Sequence, residues 1–295
     1  KEKDPGPLQP LVDMVPENLV KSFSSSKLML QVIFFALFFG IALSMMQNEK
    51  TKRVHEFFDG MGEVFIKMVN MIMAISPFFV FCLMAGVLAK IANTPDELFA
   101  LFQTLGLYTL VVILGLSLLL FGFYPLLQRI FGLRYGYKGF FQKMSPAQFL
   151  AFSTSSSAAT LPVTIRCVEK ELKVPSKVSD FVLPIGATVN MDGTALYEAV
   201  AVMFIAQVYA IEMGFYEQTI IFITATLAAI GAAGIPQAGL VTMIIVLSAV
   251  NLPLEGISLL LAVDWLLDRF RTAVNVSGDS VGAAIIDKFD TTASR

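Results

Sequence analysis

The chain has 295 residues, of which 56% are hydrophobic and 15% charged, with a formal net charge of −2 and a mean hydropathy of +0.73. A soluble domain carries about 25% charged residues, so this composition excludes an ordinary soluble protein, and the slight negative charge gives no support to a nucleic-acid partner. Cys82 and Cys167 make no disulfide framework, and His55, the single histidine, leaves no Cys/His set for zinc or for a histidine-based triad.

Residues 1–27 are polar and proline-rich, with an ambiguous apolar stretch at Leu11–Val20. The chain starts at Lys1 and no signal peptide precedes the first apolar run, as expected of the carboxyl-terminal portion of a longer protein whose earlier helices are missing. Spanning helices are predicted at about 28–47, 64–91 and 99–128, since each apolar run is about 20 residues or longer. Pro77 should kink the second, because proline removes a backbone hydrogen bond. The region 145–165 differs: a short apolar half, Ala147–Phe152, a hydroxyl-rich centre at 153–157, and a second short half ending at Pro162. A full helix follows at about 179–210. A second broken segment, 220–250, has apolar halves around the breaker Gly231–Gly239. The last helix is predicted at about 257–286. Three regions result: 1–63 as an amino-terminal segment and scaffold helix, 64–144 with two spanning helices, and 145–295 as a core.

Loop charges orient these elements. Residues 129–143 carry Arg129, Arg134, Lys138 and Lys143 and no acid, and residues 166–177 carry Arg166, Lys170, Lys173 and Lys177 against Glu169 and Glu171. Both basic loops flank the serine-rich segment, so a re-entrant hairpin keeps both inside, as the positive-inside rule prefers. The second broken segment is flanked by Glu212, Glu217 and Glu255 without Lys or Arg and reads as entering from outside. The Asn93–Glu97 loop reads as external, and Lys50, Lys52 and Arg53 as internal. The outcome is an all-α polytopic membrane protein with an inverted repeat, hairpin then helix, twice, and an internal carboxyl terminus. Interrupted segments at matching positions of two halves point to a transporter's binding site.

Asp264, Asp268, Arg271, Asn275 and Asp279 fall within about 80° of arc on the last helix, at about 100° per residue. A charge at the bilayer centre costs about 2.5–3.5 kcal/mol, so such a stripe needs a compensating role. Asp268 and Arg271 suit a zwitterion clamp, the acid for an ammonium and the guanidinium for a carboxylate; a salt bridge within the helix is the alternative. Asp264 is as well explained by structure as by ligand binding. The run Asn190-Met191-Asp192-Gly193-Thr194 places amide and carboxylate oxygens beside a glycine that permits unwinding. With Asn275 and Asp279 it offers hard oxygen donors for a cation, against an alternative of interhelical hydrogen bonding. Glu198 sits in an apolar stretch and is a candidate proton carrier, or a structural carboxyl. Arg269 lies off the stripe and reads as snorkelling or as pairing with a neighbouring helix. A serine-based hydrolase is disfavoured, since His55 lies in a predicted loop. A channel lined by the polar stripe is a rival reading, although paired opposite hairpins favour occlusion.

Thr154–Pro162, Gly186–Tyr197, Gly231–Met243 and Asp264–Asp279 resemble the dicarboxylate/amino acid:cation symporter family, the excitatory amino acid and glutamate/aspartate transporters. The resemblance runs from about residue 11 to 287 and lacks the three helices that precede this region in the family. It implies a glutamate-transporter-like elevator fold and a homotrimer in the cell membrane, with residues 28–60 in scaffold and trimer contacts. It also implies symport of L-glutamate or L-aspartate with sodium and a proton, with possible potassium counter-transport and no enzymatic activity; proton-only symport is the rival within the family. Carried over by motif, Ser155, Ser156 and Ser157 resemble substrate contacts of the first hairpin, and Ile235, Pro236, Gln237, Ala238 and Gly239 the gating tip of the second. Thr194, Asp268, Arg271, Thr272 and Asn275 look like side-chain substrate ligands. Gly186, Asn190, Asn275 and Asp279 resemble one sodium site, Thr188, Met191, Ala229, Ile230 and Ala232 another, and Asn190 with Asp192 part of a third. The resemblance moves Arg269 to a supporting role behind the site and places Glu198 where proton-coupled members carry an acid.

Overall fold

The computed structural model describes residues 15–24, 29–46, 48–91, 94–133 and 135–293, and divides into two compact units, residues 1–93 and 94–295. Every regular element among the described residues is helical. Residues 1–14 and 25–28 of the amino-terminal segment, Asn93 of the predicted external loop, and Arg134 of the first basic loop lie outside the described residues.

The first unit holds α1 (Leu19–Phe23), α2 (Met29–Met45) and α3 (Glu49–Ile91). Asn18 caps α1, and the Ser22 hydroxyl, on α1, donates to Gln31 Oε1 of α2 (2.7 Å). Phe39 of α2 meets Phe58 of α3 edge-on at 5.5 Å between ring centroids. Helix α3 starts well before residue 64, because the Asn48 carboxamide accepts from Lys50 N and Thr51 N at 3.0 Å each and so caps an earlier turn. Lys50, Lys52 and Arg53 therefore ride on a helix rather than in a loop. The helix continues through residue 77, whose side chain is outside those described.

The second unit begins with α4 (Pro95–Leu118), which passes through a π-helical turn, Leu119–Phe123, into α5 (Tyr124–Ile130). Two helical hairpins follow the same plan. The first is α6 (Gly136–Thr154) and α7 (Ser157–Lys170); the second is α10 (Phe215–Ile230) and α11 (Ala238–Ala249). Between them run α8 (Ser176–Val189) and α9 (Asp192–Val208), and after the second comes α12 (Ile257–Ala293). Among the described residues, two stretches are long and apolar enough to cross a membrane, Phe99–Ile130 and Ser176–Val208.

Three further boundaries differ from the sequence reading. The first hairpin's arms are longer than 145–165, and Pro146 and Pro162 sit inside helices that run on past them. A proline forfeits one backbone bond, and the packed face of α7 (Ser157, Thr160, Thr164, Cys167 and Val168, all buried) outweighs that loss. The helix predicted at 179–210 is interrupted at Asn190–Met191, where both residues leave helical dihedrals. The last helix extends past 286 to Ala293.

Candidate functional site

Helix α12 is the axis of the site. Asp264, Asp268, Arg271, Thr272, Asn275 and Asp279 are all buried on it, so the stripe faces protein, as its arc requires. Arg271 is 1% exposed and stands between two carboxylates, with Nη2 at 2.5 Å from Asp268 Oδ1 and Nη1 at 3.2 Å from Asp264 Oδ1. The guanidinium also lies over the Tyr197 ring, 3.9 Å from its centroid. These contacts give Asp264 a partner that spacing alone left open. Arg271 Nε and Nη1 still make no hydrogen bond. Buried donors without acceptors are rare in proteins, so this cation retains capacity for a further anionic group.

The second hairpin closes over that pair. Gln237 stands in left-handed conformation (φ 62°) ahead of α11, and its N–H donates to Asp268 Oδ2 at 2.7 Å. Gly239 is needed for the approach, since a Cβ there would lie 2.8 Å from Arg271 Nη1. The two hairpin tips touch. Ser155 turns left-handed (φ 51°) to end α6, and Ser156 caps α7 by accepting from Ala159 N. The Ser156 hydroxyl then donates to Gly234 O at 2.6 Å, and Ala158 N donates to the same oxygen at 3.1 Å. Ser157 is buried beside them, while Ile235, Pro236 and Ala238 are half-buried on the second tip. Thr272 bonds within its own helix, to Asp268 O at 2.8 Å.

The break between α8 and α9 meets the other end of the stripe. Asn190 Nδ2 donates to Asp279 Oδ1 (2.9 Å), Gly193 N donates to Asn275 Oδ1 (2.8 Å), and Asn275 Nδ2 donates to Thr194 Oγ1 (3.3 Å). Gly193 is helical, contrary to the unwinding role assigned from sequence. Its lack of a side chain serves close packing, because a Cβ would sit 3.0 Å from both Arg271 O and Asn275 Oδ1. Gly186 leaves a similar notch, where a Cβ would fall 2.5 Å from Asp279 Oδ1. Asn190, Asp192, Asn275 and Asp279 thus gather carboxylate and amide oxygens around an unwound backbone, a donor set that fits a hard monovalent cation. Met191, Ala229 and Ala232, expected at the second cation site, pack together as a buried apolar cluster, with Ile230 half-buried next in sequence. Thr188 does not join them: it is exposed, and its hydroxyl donates back to Ile185 O at 3.0 Å.

Glu198 is fully buried, accepts through Oε1 from the Thr242 hydroxyl of the second hairpin, and leaves Oε2 without a hydrogen bond. Arg269 is half-buried. Its Nη1 donates to Phe152 O at 3.3 Å in the last turn of α6, and its guanidinium lies 5.9 Å from the Phe152 ring and 5.8 Å from that of Trp265. It therefore ties α12 to the first hairpin just below the tip. Sequence reasoning missed Tyr197, Thr242 and Tyr124, whose hydroxyl donates to Asp192 Oδ2 at 2.9 Å. The first two stand within motif segments. Tyr124 has no motif, and only an aromatic hydroxyl inside an apolar run could have flagged it.

Residues 1–289 match the family model described as the sodium:dicarboxylate symporter family. The chain is 46% identical over 271 residues to human excitatory amino acid transporter 3, an alignment covering 92% of this chain and 50% of the relative. It is 47% identical over 258 residues to mouse excitatory amino acid transporter 4, covering 88% and 45% respectively, and 47% identical over 264 residues to mouse excitatory amino acid transporter 2, covering 90% and 45%. The chain spans about half the length of the curated relatives it matches.

Proposed function

Since the chain belongs to the sodium:dicarboxylate symporter family, we propose that it carries the substrate- and cation-binding half of a multi-pass membrane symporter for L-glutamate or L-aspartate. The observation that carries this reading is Arg271, buried with Nε lacking an acceptor and Nη1 ion-paired to Asp264 without a hydrogen bond, and adjoining the hairpin tip at Gly239. A permanent, forked cation suits a carboxylate of the substrate. Asp268, held from the other side by Gln237 N, takes the substrate ammonium. Ser155, Ser156, Ser157, Thr194, Thr272, Asn275 and the 235–239 tip complete the contacts. The relatives' names, excitatory amino acid transporters, support an acidic amino acid as cargo.

Sodium is the coupling ion, held by Asn190, Asp192, Asn275 and Asp279 beside Gly186, and at a second site by Met191, Ala229, Ile230 and Ala232 with Thr188, which must turn inward to join. Glu198 carries a proton, because a buried carboxyl with one free oxygen and a hydroxyl partner can exist in both protonation states. The hairpins enter the bilayer from opposite faces and the carboxyl terminus is cytoplasmic. The protein works as a homotrimer in the cell membrane by elevator-like alternating access, and catalyses no chemical reaction. Uptake of labelled aspartate and glutamate into proteoliposomes tests the proposal. Accumulation should require an inward sodium gradient; accumulation driven by protons alone rejects sodium coupling, and none under either gradient rejects symport.

A further inference from the structure

Tyr124 is 2% exposed and sits on no motif, yet its hydroxyl reaches Asp192 Oδ2 at 2.9 Å. Three features of the chain converge on that contact. Immediately before Tyr124 the helix makes the π-turn Leu119–Phe123, closed by a bond from Tyr124 N to Leu119 O. A π-turn inserts one residue, about 100° of rotation, and such turns cluster at functional sites. Pro125 follows directly and cannot donate a backbone bond, which favours a lesion in the ladder here. The π-turn thus sets the face on which Tyr124 emerges. On the far side, Gly278 leaves room for the ring. A Cβ at 278 would lie 2.7 Å from the Tyr124 hydroxyl and 3.1 Å from Asn190 Nδ2. One notch therefore accommodates both the phenol that holds Asp192 and the amide that holds Asp279.

We infer that Tyr124 is a positioning residue for cation binding: its hydroxyl fixes one oxygen of Asp192, so that the other is presented towards the break at Asn190–Met191. The inference rests on the sodium reading above. A hydrogen bond to a charged acceptor is among the stronger ones, so its loss acts on the geometry of the carboxylate rather than on the charge of the site. It also links the site to α5, an element outside both hairpins and the break.

Equilibrium binding of radiolabelled sodium to the purified protein, without amino acid and at constant ionic strength with choline, tests it. Wild type should bind saturably; a wild type without saturable binding overturns the sodium reading and the inference with it. Tyr124→Phe should raise the half-saturating sodium concentration about tenfold or more, while amino-acid affinity at saturating sodium stays near wild type. An unchanged sodium midpoint overturns the inference even if the variant melts lower, since a purely structural tyrosine would change stability alone. Gly278→Ala should weaken sodium binding by pushing the hydroxyl aside. The double variant should be no weaker than the worse single variant, because the phenylalanine vacates the space that the new methyl needs. Losses that multiply in the double variant would place the two effects at separate points and reject the shared notch.

Discussion

Arg271 illustrates how a single residue can be both held and available. Two carboxylates and a tyrosine ring offset its burial, and breaking such a buried pair from one side costs about 3–5 kcal/mol because the remaining charges lose their partner. Arg271→Cys should therefore do two things. Binding of acidic amino acids should fall by at least about a hundredfold, and uptake of neutral amino acids should rise relative to acidic ones; competition assays against labelled aspartate measure both. Retained aspartate affinity would reject the guanidinium as the substrate's partner. Glu198 is the second residue with a separable task. In Glu198→Gln the amide oxygen can still accept from Thr242, so the fold should persist while the titrating group is gone. The pH dependence of uptake should flatten, with sodium dependence retained. An unaltered pH profile would exclude Glu198 as the proton carrier.

At the scale of elements, the hairpin tips show what one carbonyl can coordinate. Gly234 O accepts from both Ser156 and Ala158, and a Cβ on Gly234 would lie 2.9 Å from Ala187 O and 3.1 Å from Ala158 N. Backbone atoms cannot yield as a flexible side chain can, so Gly234→Ala should displace the second tip at a cost of about 1–3 kcal/mol. Substrate dissociation should accelerate by roughly tenfold or more, measured as the off-rate of labelled aspartate, and an unchanged rate would argue that the tips do not gate. The same elements show what sequence could disclose. Both hairpins, the two-part plan and the α12 stripe were legible, because glycine and proline punctuation and a 3.6-residue period report directly on backbone and face. The break at Asn190–Met191 was legible only approximately: Gly193 pointed to it, but that glycine answers to the crowding of Arg271 and Asn275. Thr188 was carried over by motif, although it stands about 200° round α8 from Gly186, which faces Asp279. The π-turn left no local trace beyond Pro125, since its bonding depends on packing around Tyr124 rather than on the preferences of Leu119–Phe123.

At the scale of the whole molecule, the buried charges among the described residues do not balance. Asp264, Asp268, Asp279 and Glu198 are buried and Asp192 is half-buried, whereas Arg271 is the only buried cation among the described residues and Arg269 is half-exposed beside it. All of them lie in the unit of residues 94–295. An excess of buried carboxylates disfavours the folded state unless some are protonated or a cation joins them. Arg271 already engages Asp264 and Asp268, which leaves Glu198, Asp192 and Asp279 without a basic side chain, the last two together at the broken helix. A bound monovalent cation there would stabilise the native state by an amount that grows with the logarithm of its concentration above the dissociation constant. At a sodium concentration about 100-fold above the dissociation constant the gain is about 2.7 kcal/mol, or roughly 5–10 °C in melting temperature for a chain of this size. Thermal unfolding in sodium chloride should therefore rise by that amount over choline chloride at equal ionic strength. Asp279→Asn, which removes one of the two carboxylates at the broken helix, should melt higher than wild type in choline and gain less from sodium. Equal melting in the two salts would mean that the imbalance is relieved by protons, and the dependence of melting on pH in choline would then carry the whole effect.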